Sequence, residues 1–487
     1  MTPAILALAI LTSVRFPVTT SDAGAQALIN RGLSYYYAYD GGDAAGAFAA
    51  AAASDPHLAM AYWGEALANG PDLNTQMTAE RFVRGQLAAQ KSVALQAGIA
   101  PSERAYVDAM AQRYKGTWDD WAADDSAYRA AMVRIAGAPQ AGDDARVLAA
   151  EALLEHGTLA WDGAHLATAD SRHALALIAG VLARDPGNVM ANHLCIHAYD
   201  DAPDRTPALS CAQRLDAASF APQAEHLAHM PAHYWIETGN YAAALASSER
   251  AYGLFERLER IGNRDPEHDR YLLHDTYVGY SAAMMLGDYP TARMWSGRMN
   301  VAFATPYDGL TALRFGRFTD ALRFARDDTV AGLAVRGCAA LALGQIATAR
   351  DAATRLRKIS TSGYLAELFL ARLAEREGNG DQARRWLDQA VDEQATADSG
   401  ELLPLLPALE VRGELALRGR AYDDAVAGYR AALAAFPDDP RALFGLAAGL
   451  QALGRDAEAA SARARFRAVW GANALPALEI PGLPASE

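Results

Sequence analysis

Small and apolar residues recur along this chain with the period of an α-helix, in paired blocks separated by short turns. Counted from Ala25, the residues Gly32, Tyr35, Ala44, Phe48, Ala51 and Pro56 stand at positions 8, 11, 20, 24, 27 and 32. Counted from Leu406, Gly413, Ala416, Ala425, Tyr429, Ala432 and Pro437 fall in the same frame, and the next block opens at Pro440, 34 residues on. This spacing predicts helix–turn–helix units in which small residues let two helices approach closely and a proline ends the second. Turns at Gly239-Asn240-Tyr241, Gly287-Asp288-Tyr289 and Gly316-Arg317-Phe318 mark further units, and Gly344 and Gly378 fit the frame less cleanly. Residues 76–188 read as helical but irregular, with loops at 116–120 and 137–143 and one unit ending at Pro186. Ser102 is expected to cap a helix there.

The frame is that of a tetratricopeptide repeat, so the expected fold is an all-α tetratricopeptide-repeat (TPR) α-solenoid. Such units cannot bury their apolar faces alone and stack into a superhelix with a concave groove, lined by the first helix of each pair. The organisation expected is a leader or signal segment over 1–24, N-terminal units over 25–75 and irregular helical repeats over 76–188. Central units over 189–300, C-terminal units over 301–471 and a Pro/Ala-rich tail over 472–487 complete it.

Composition narrows the function. The 487 residues are 51% hydrophobic and carry a formal charge of −14, which argues against a nucleic-acid partner, since that needs a basic footprint. The three cysteines make no disulfide framework or C-x-x-C site, although Cys195 and Cys211 could pair in an oxidising compartment. The opening run MTPAILALAILTSV is too short to span a membrane and has the character of a secretory h-region, with Ala23-Gly24-Ala25 as a cleavage site. An exported or periplasmic protein is expected, with a cytoplasmic one as the alternative. No other stretch predicts an integral membrane segment.

The candidate chemistry lies in the centre. Seven of the eleven histidines fall between residues 193 and 274, where uniform scatter would place about two. The Gly239 turn puts Glu225 at position 1 of its unit and His226, His229 and His233 at positions 2, 5 and 9, within about 60° of arc on the groove face. The preceding unit puts His193, His197 and Asp200 at positions 5, 9 and 12, and the following one puts His274 and Tyr277 at positions 2 and 5. Histidines at i and i+4 grip a metal from one helix. Neutral imidazole suits a divalent transition metal such as zinc, copper or iron. The expected ligands are therefore His193, His197, His226, His229, His233 and His274. Asp200, Tyr277 and Glu225 support them, Asp200 by holding a histidine tautomer.

Cys195 lies about 200° around the helix from His193 and reads as packing. Pro231 interrupts the second motif, so that helix either kinks or begins there, which would leave His226 on the preceding loop. Two other readings stay open: hydrogen-bonded structural histidines, or a metal-free groove for a peptide or protein partner. A metal-dependent oxidoreductase or hydrolase is a further alternative. No H-E-x-x-H glutamate is present, and Glu225 is the nearest candidate base.

The segments VRFP (14–17), NRGLSYYYAYD (30–40), DPHLAMAYWGEAL (55–67), NHLCIHAYDD (192–201) and EHLAHMPAHYWIETG (225–239) resemble a group of bacterial TPR proteins often predicted to be exported. The resemblance covers about residues 14–300, and its most specific parts are H-x-x-I-H-[AS]-Y-D and H-x-x-H-M-P-[SA]-H. The first matches His193, His197, Tyr199 and Asp200; the second matches His226, His229, Met230, Pro231 and His233. It implies the fold and the site but names no reaction. Where some relatives carry H-N-x-H this chain has His274-Asp275-Thr276-Tyr277, and where they carry V-H-F-P it has Val14-Arg15-Phe16-Pro17.

Overall fold

The computed structural model describes residues 14–156, 159, 161–262, 266–300, 306–396 and 406–471. The first thirteen residues of the expected leader and the tail 472–487 lie outside them. The chain is an all-α TPR-type α-solenoid that divides into two compact units. One comprises Met1–Tyr234 with Glu249–Leu272, the other Trp235–Ser248 with Leu273–Glu487.

The first unit begins with the pair Ala23–Tyr37 and Gly41–Ser54, followed by Ala59–Ala68. Asp22 and Asp40 cap the first two helices by accepting from backbone N–H groups that would otherwise be orphaned. Phe48 lies between the outer two helices. A Cβ on Gly32 would stand 2.7 Å from its ring and one on Gly64 2.2 Å, so the frame's small residues are there because the ring fills their space. Gly64→Ala is accordingly expected to cost about 2–3 kcal/mol through overpacking, read as a lowered midpoint in a thermal or urea melt. An unchanged midpoint would show that Phe48 can move aside.

Within the segment expected as a leader, Phe16 is buried and stacks on Trp63 at 5.4 Å. Thr19 donates its backbone N–H and hydroxyl to Glu103 at 2.8 and 2.6 Å. Glu103 sits in the helix Pro101–Arg113. Ser102 does not cap it: Pro101 occupies the first helical position, where a missing N–H costs nothing, and Ala100 precedes it.

The irregular stretch holds the helices Ala79–Ala94, Trp121–Ala136, Asp143–His156 and Ala169–Arg184. A small antiparallel hairpin also lies here, pairing Trp161 with Leu166 and Asp162 with His165. Its Trp161 Nε1 donates to the carbonyl of Ala198 at 3.2 Å. Two-residue strands carry too little alternation to be read from sequence.

In the second unit four glycines between helices adopt the left-handed conformation expected of helix ends: Gly316 (φ 70°), Gly344 (71°), Gly378 (76°) and Gly454 (69°). Gly344 and Gly378 thus close regular pairs, Val330–Ala342 with Ile346–Ile359 and Tyr364–Arg376 with Gly380–Thr396. The frame counted from Leu406 gives Ala408–Arg418 and Tyr422–Ala435, with Gly413 against the Tyr429 ring. Among the described residues no helix is long and apolar enough to cross a membrane.

Candidate metal centre

Three helices carry the histidine motifs, and all five motif histidines lie in the first unit. Val189–Tyr199 starts after Asp185-Pro186-Gly187, with the Asn188 side chain accepting from Ala191 N–H at 2.9 Å. It presents His193 and His197 one turn apart. The back of the helix is fixed by a disulfide from Cys195 to Cys211 on the helix Leu209–Ala217. This agrees with the angular reading that turned Cys195 away from the histidines.

The second motif is helical on both sides of the proline. Glu225–His229 is followed directly by Pro231–Glu237, and Met230 between them keeps α-helical angles and donates to the His226 carbonyl at 3.0 Å. Pro231 therefore starts a helix, and His226 stays on the helical path.

Five of the six histidines expected on an open groove are buried, and His274 is half-buried. His193 and His229 are 0% exposed, His226 and His233 1% and His197 5%; Glu225 is buried beside them. The cover comes from elements far away in sequence. Tyr39 stacks over the group, its ring 4.3 Å from His193, 5.7 Å from His226 and 5.9 Å from His197. Tyr271 lies 4.4 Å from the His226 ring, and the Asn74 amide nitrogen 3.3 Å from His226 Nε2. Tyr39 holds φ at 58°, a conformation that costs a bulky residue on the order of 1–3 kcal/mol and that clusters at functional sites.

Three imidazole nitrogens converge. His193 Nε2 lies 3.1 Å from Nε2 of His197 and 3.1 Å from Nε2 of His226. His193, His197 and His226 bring one ligand atom each within 4.8 Å of the others. The proton on His193 can be placed. Its Nδ1 is 3.0 Å from the carbonyl oxygen of Tyr37, which can only accept. Neutral His193 therefore carries its hydrogen on Nδ1 and a lone pair on Nε2. The Tyr37 backbone is itself pinned, because its phenol donates to Asp144 at 2.7 Å while the adjacent Tyr36 donates to Glu151 at 2.7 Å.

Protonation of His193 and His226 is disfavoured. Burial pushes the His193 imidazole down to about 3, a fall that the Tyr37 carbonyl opposes and His233 reinforces. Burial, then the neighbouring histidines, also holds His226 well below its ordinary value. An ion bonded to imidazole nitrogens at 2.0–2.1 Å would space them by roughly 2.9–3.4 Å at octahedral to tetrahedral angles. The two 3.1 Å separations from His193 Nε2 fit it.

A second pair stands alongside. His229 Nε2 and His233 Nε2 are 3.0 Å apart, and Asp200 Oδ2 is 3.7 Å from His233 Nδ1, longer than a hydrogen bond. Asp200 ends the helix Val189–Tyr199, which positions it between the two motifs. His274 and Tyr277 belong to the second unit, on the helix Pro266–Met285. There burial, then Tyr364, Tyr307 and Tyr280, pushes the Tyr277 phenol well up. Sequence reasoning missed Tyr37, Tyr39 and Asn74 as neighbours of the histidines. The quoted segment NRGLSYYYAYD held two of the three, but nothing in their spacing pointed at a histidine some 150 residues away.

No protein-family model and no curated protein matches this chain. Among solved structures, yeast Tom70 aligns over 91% of this chain and 85% of its own, at 12% identity and a TM-score of 0.31. Human IFIT1, solved as a dimer with PPP-AAAA, aligns over 94% and 97%, at 11% identity and a TM-score of 0.31. Neither likeness bears on the histidine centre.

Proposed function

We propose that this protein is a TPR-type repeat protein that binds a divalent transition metal, zinc, copper or iron, through His193, His197 and His226. The observation that carries the reading is the convergence of three Nε2 atoms on a buried point while His193 Nδ1 is taken by the Tyr37 carbonyl. Neutral imidazoles arranged this way can offer lone pairs to a cation. The alternative of a partner-binding groove built on these histidines is disfavoured by their burial, since a partner cannot touch them. The Cys195–Cys211 bond favours an oxidising compartment and so supports export.

A second reading, a metal-dependent enzyme, is favoured by the number three. Structural zinc sites close with four protein ligands, whereas catalytic sites keep a position open. When bound, such an ion would supply Lewis acidity or a redox couple. The chain's own residues orient its ligands: the Tyr37 carbonyl fixes the His193 tautomer, and Tyr39 and Tyr271 exclude water from the rings. Tyr39 keeps its proton, because burial and then Glu151 raise its phenol well above the ordinary value.

Elemental mass spectrometry of purified, tag-free protein tests the metal. Near-stoichiometric zinc, copper or iron is expected, with a melting temperature that falls on chelation and recovers when the ion is returned. A protein that is isolated without metal and gains no melting temperature from any of the three ions would sink the reading.

A further inference from the structure

Three features outside the triad invite a function. The cavity in the second unit has a volume of about 230 Å³ and is bounded by Arg314, Arg372, Glu410 and Glu414. Its lining also holds Arg376, Arg418 and Arg441, and four of the five arginines are engaged with Glu410, Glu414, Glu375 or Asp439, so nothing in it selects a particular ligand. The groove beside Gly41, Tyr62 and Arg84 is open, and nothing in it selects an occupant. The pair His229 and His233 is different, because the triad does not use it and its nitrogens also face each other.

We propose that the first unit holds a second divalent transition metal at His229 and His233, beside the ion of the triad. This rests on the reading that His193, His197 and His226 bind the first. The pair has the same donor chemistry as the triad: two buried imidazoles with Nε2 atoms 3.0 Å apart. That separation again lies within the roughly 2.9–3.4 Å imposed by two bonds of 2.0–2.1 Å to one ion.

Asp200 Oδ2 stands 3.7 Å from the far nitrogen of His233, close enough for its charge to act there but too far for a hydrogen bond. Asp200 also neutralises part of the added charge. Geometry separates the two positions. The Nε2 atoms of His197 and His226 both meet that of His193, whereas His229 Nε2 meets His233 Nε2. The competing arrangement is a hydrogen bond in which one neutral imidazole donates to the other, with no ion.

The test is equilibrium dialysis of the full chain, stripped with chelator and reloaded with Co(II), followed by elemental analysis and by circular dichroism to confirm helicity. The wild type is expected to hold two Co(II) ions per chain. The double variant His229→Gln/His233→Gln should hold one, and His197→Ala should also keep one. One ion in the wild type and one in the pair variant would overturn the second site while leaving the triad intact. A wild type that holds one ion and loses it in either variant would also overturn it, because all five histidines would then serve a single centre. No ion in the wild type would reject both readings together.

Discussion

Alanine in place of His193 is expected to abolish tight binding at the triad, weakening the first metal affinity by at least about 100-fold. The side chain has two jobs that no neighbour duplicates. Its Nε2 is the one nitrogen within 3.1 Å of both His197 and His226, and its Nδ1 anchors to the Tyr37 carbonyl. Removing it takes away a ligand and the group that spaces the other two. Metal bound to the folded state alone stabilises by about 2.7 kcal/mol at a hundred times its dissociation constant. Wild-type protein should therefore melt higher with added ion, whereas His193→Ala should lose the part of that gain that comes from the triad. His173→Ala, at an exposed position on the helix Ala169–Arg184, is the matched control and should behave as wild type. Calorimetric titration of the three proteins gives the comparison. A His193→Ala protein that still binds the first ion with native affinity would remove the triad from the site.

Legibility along this chain followed the range of the interactions. The frame with Gly32 and Phe48 could be read because both residues belong to one helical pair, where spacing in sequence is spacing in space. The i, i+4 pairs His193/His197 and His229/His233 were legible for the same reason. Burial was not legible. A repeat frame assigns a face to each residue but does not say what covers that face, and here Tyr39 and Asn74 come from more than a hundred residues upstream. Pro231 gave two options that sequence could not separate, because proline is both a helix breaker and a favoured first residue. The disulfide was readable only as a pairing of suitable residues. The angular position of Cys195 was right, and its partner needed the path of the helix Leu209–Ala217.

The second unit carries the other large effect, at a residue with no part in metal binding. Arg314 is fully buried, and its guanidinium donates to Glu410 at 3.2 Å, to Asp439 at 3.1 Å and to the Met284 carbonyl at 2.9 Å. Three elements that are distant in sequence thus meet on one side chain. Arg314→Met keeps much of the apolar stem but leaves Asp439, which is 0% exposed, without its guanidinium partner. Removing one member of a buried ion pair costs about 3–5 kcal/mol, because the remaining charge has lost its compensation. Adding Asp439→Asn removes that charge and preserves the cap on Pro440–Ala452, so the double variant should recover about 1–3 kcal/mol of coupling. The pH dependence has a defined sign. Burial, then Glu410, pushes the Asp439 carboxyl up to about 6 from an ordinary 3.8, against the pull of Arg314. A carboxyl raised in the folded state adds stability below its unfolded value, and that addition disappears as pH rises through the folded one. Without Arg314 the carboxyl moves higher still, so the deficit of Arg314→Met should be greater near about pH 8 than near about pH 5. Urea melts at both pH values provide the measurement. An equal deficit at the two would mean that the loss comes from packing around Met284 and not from the stranded carboxylate.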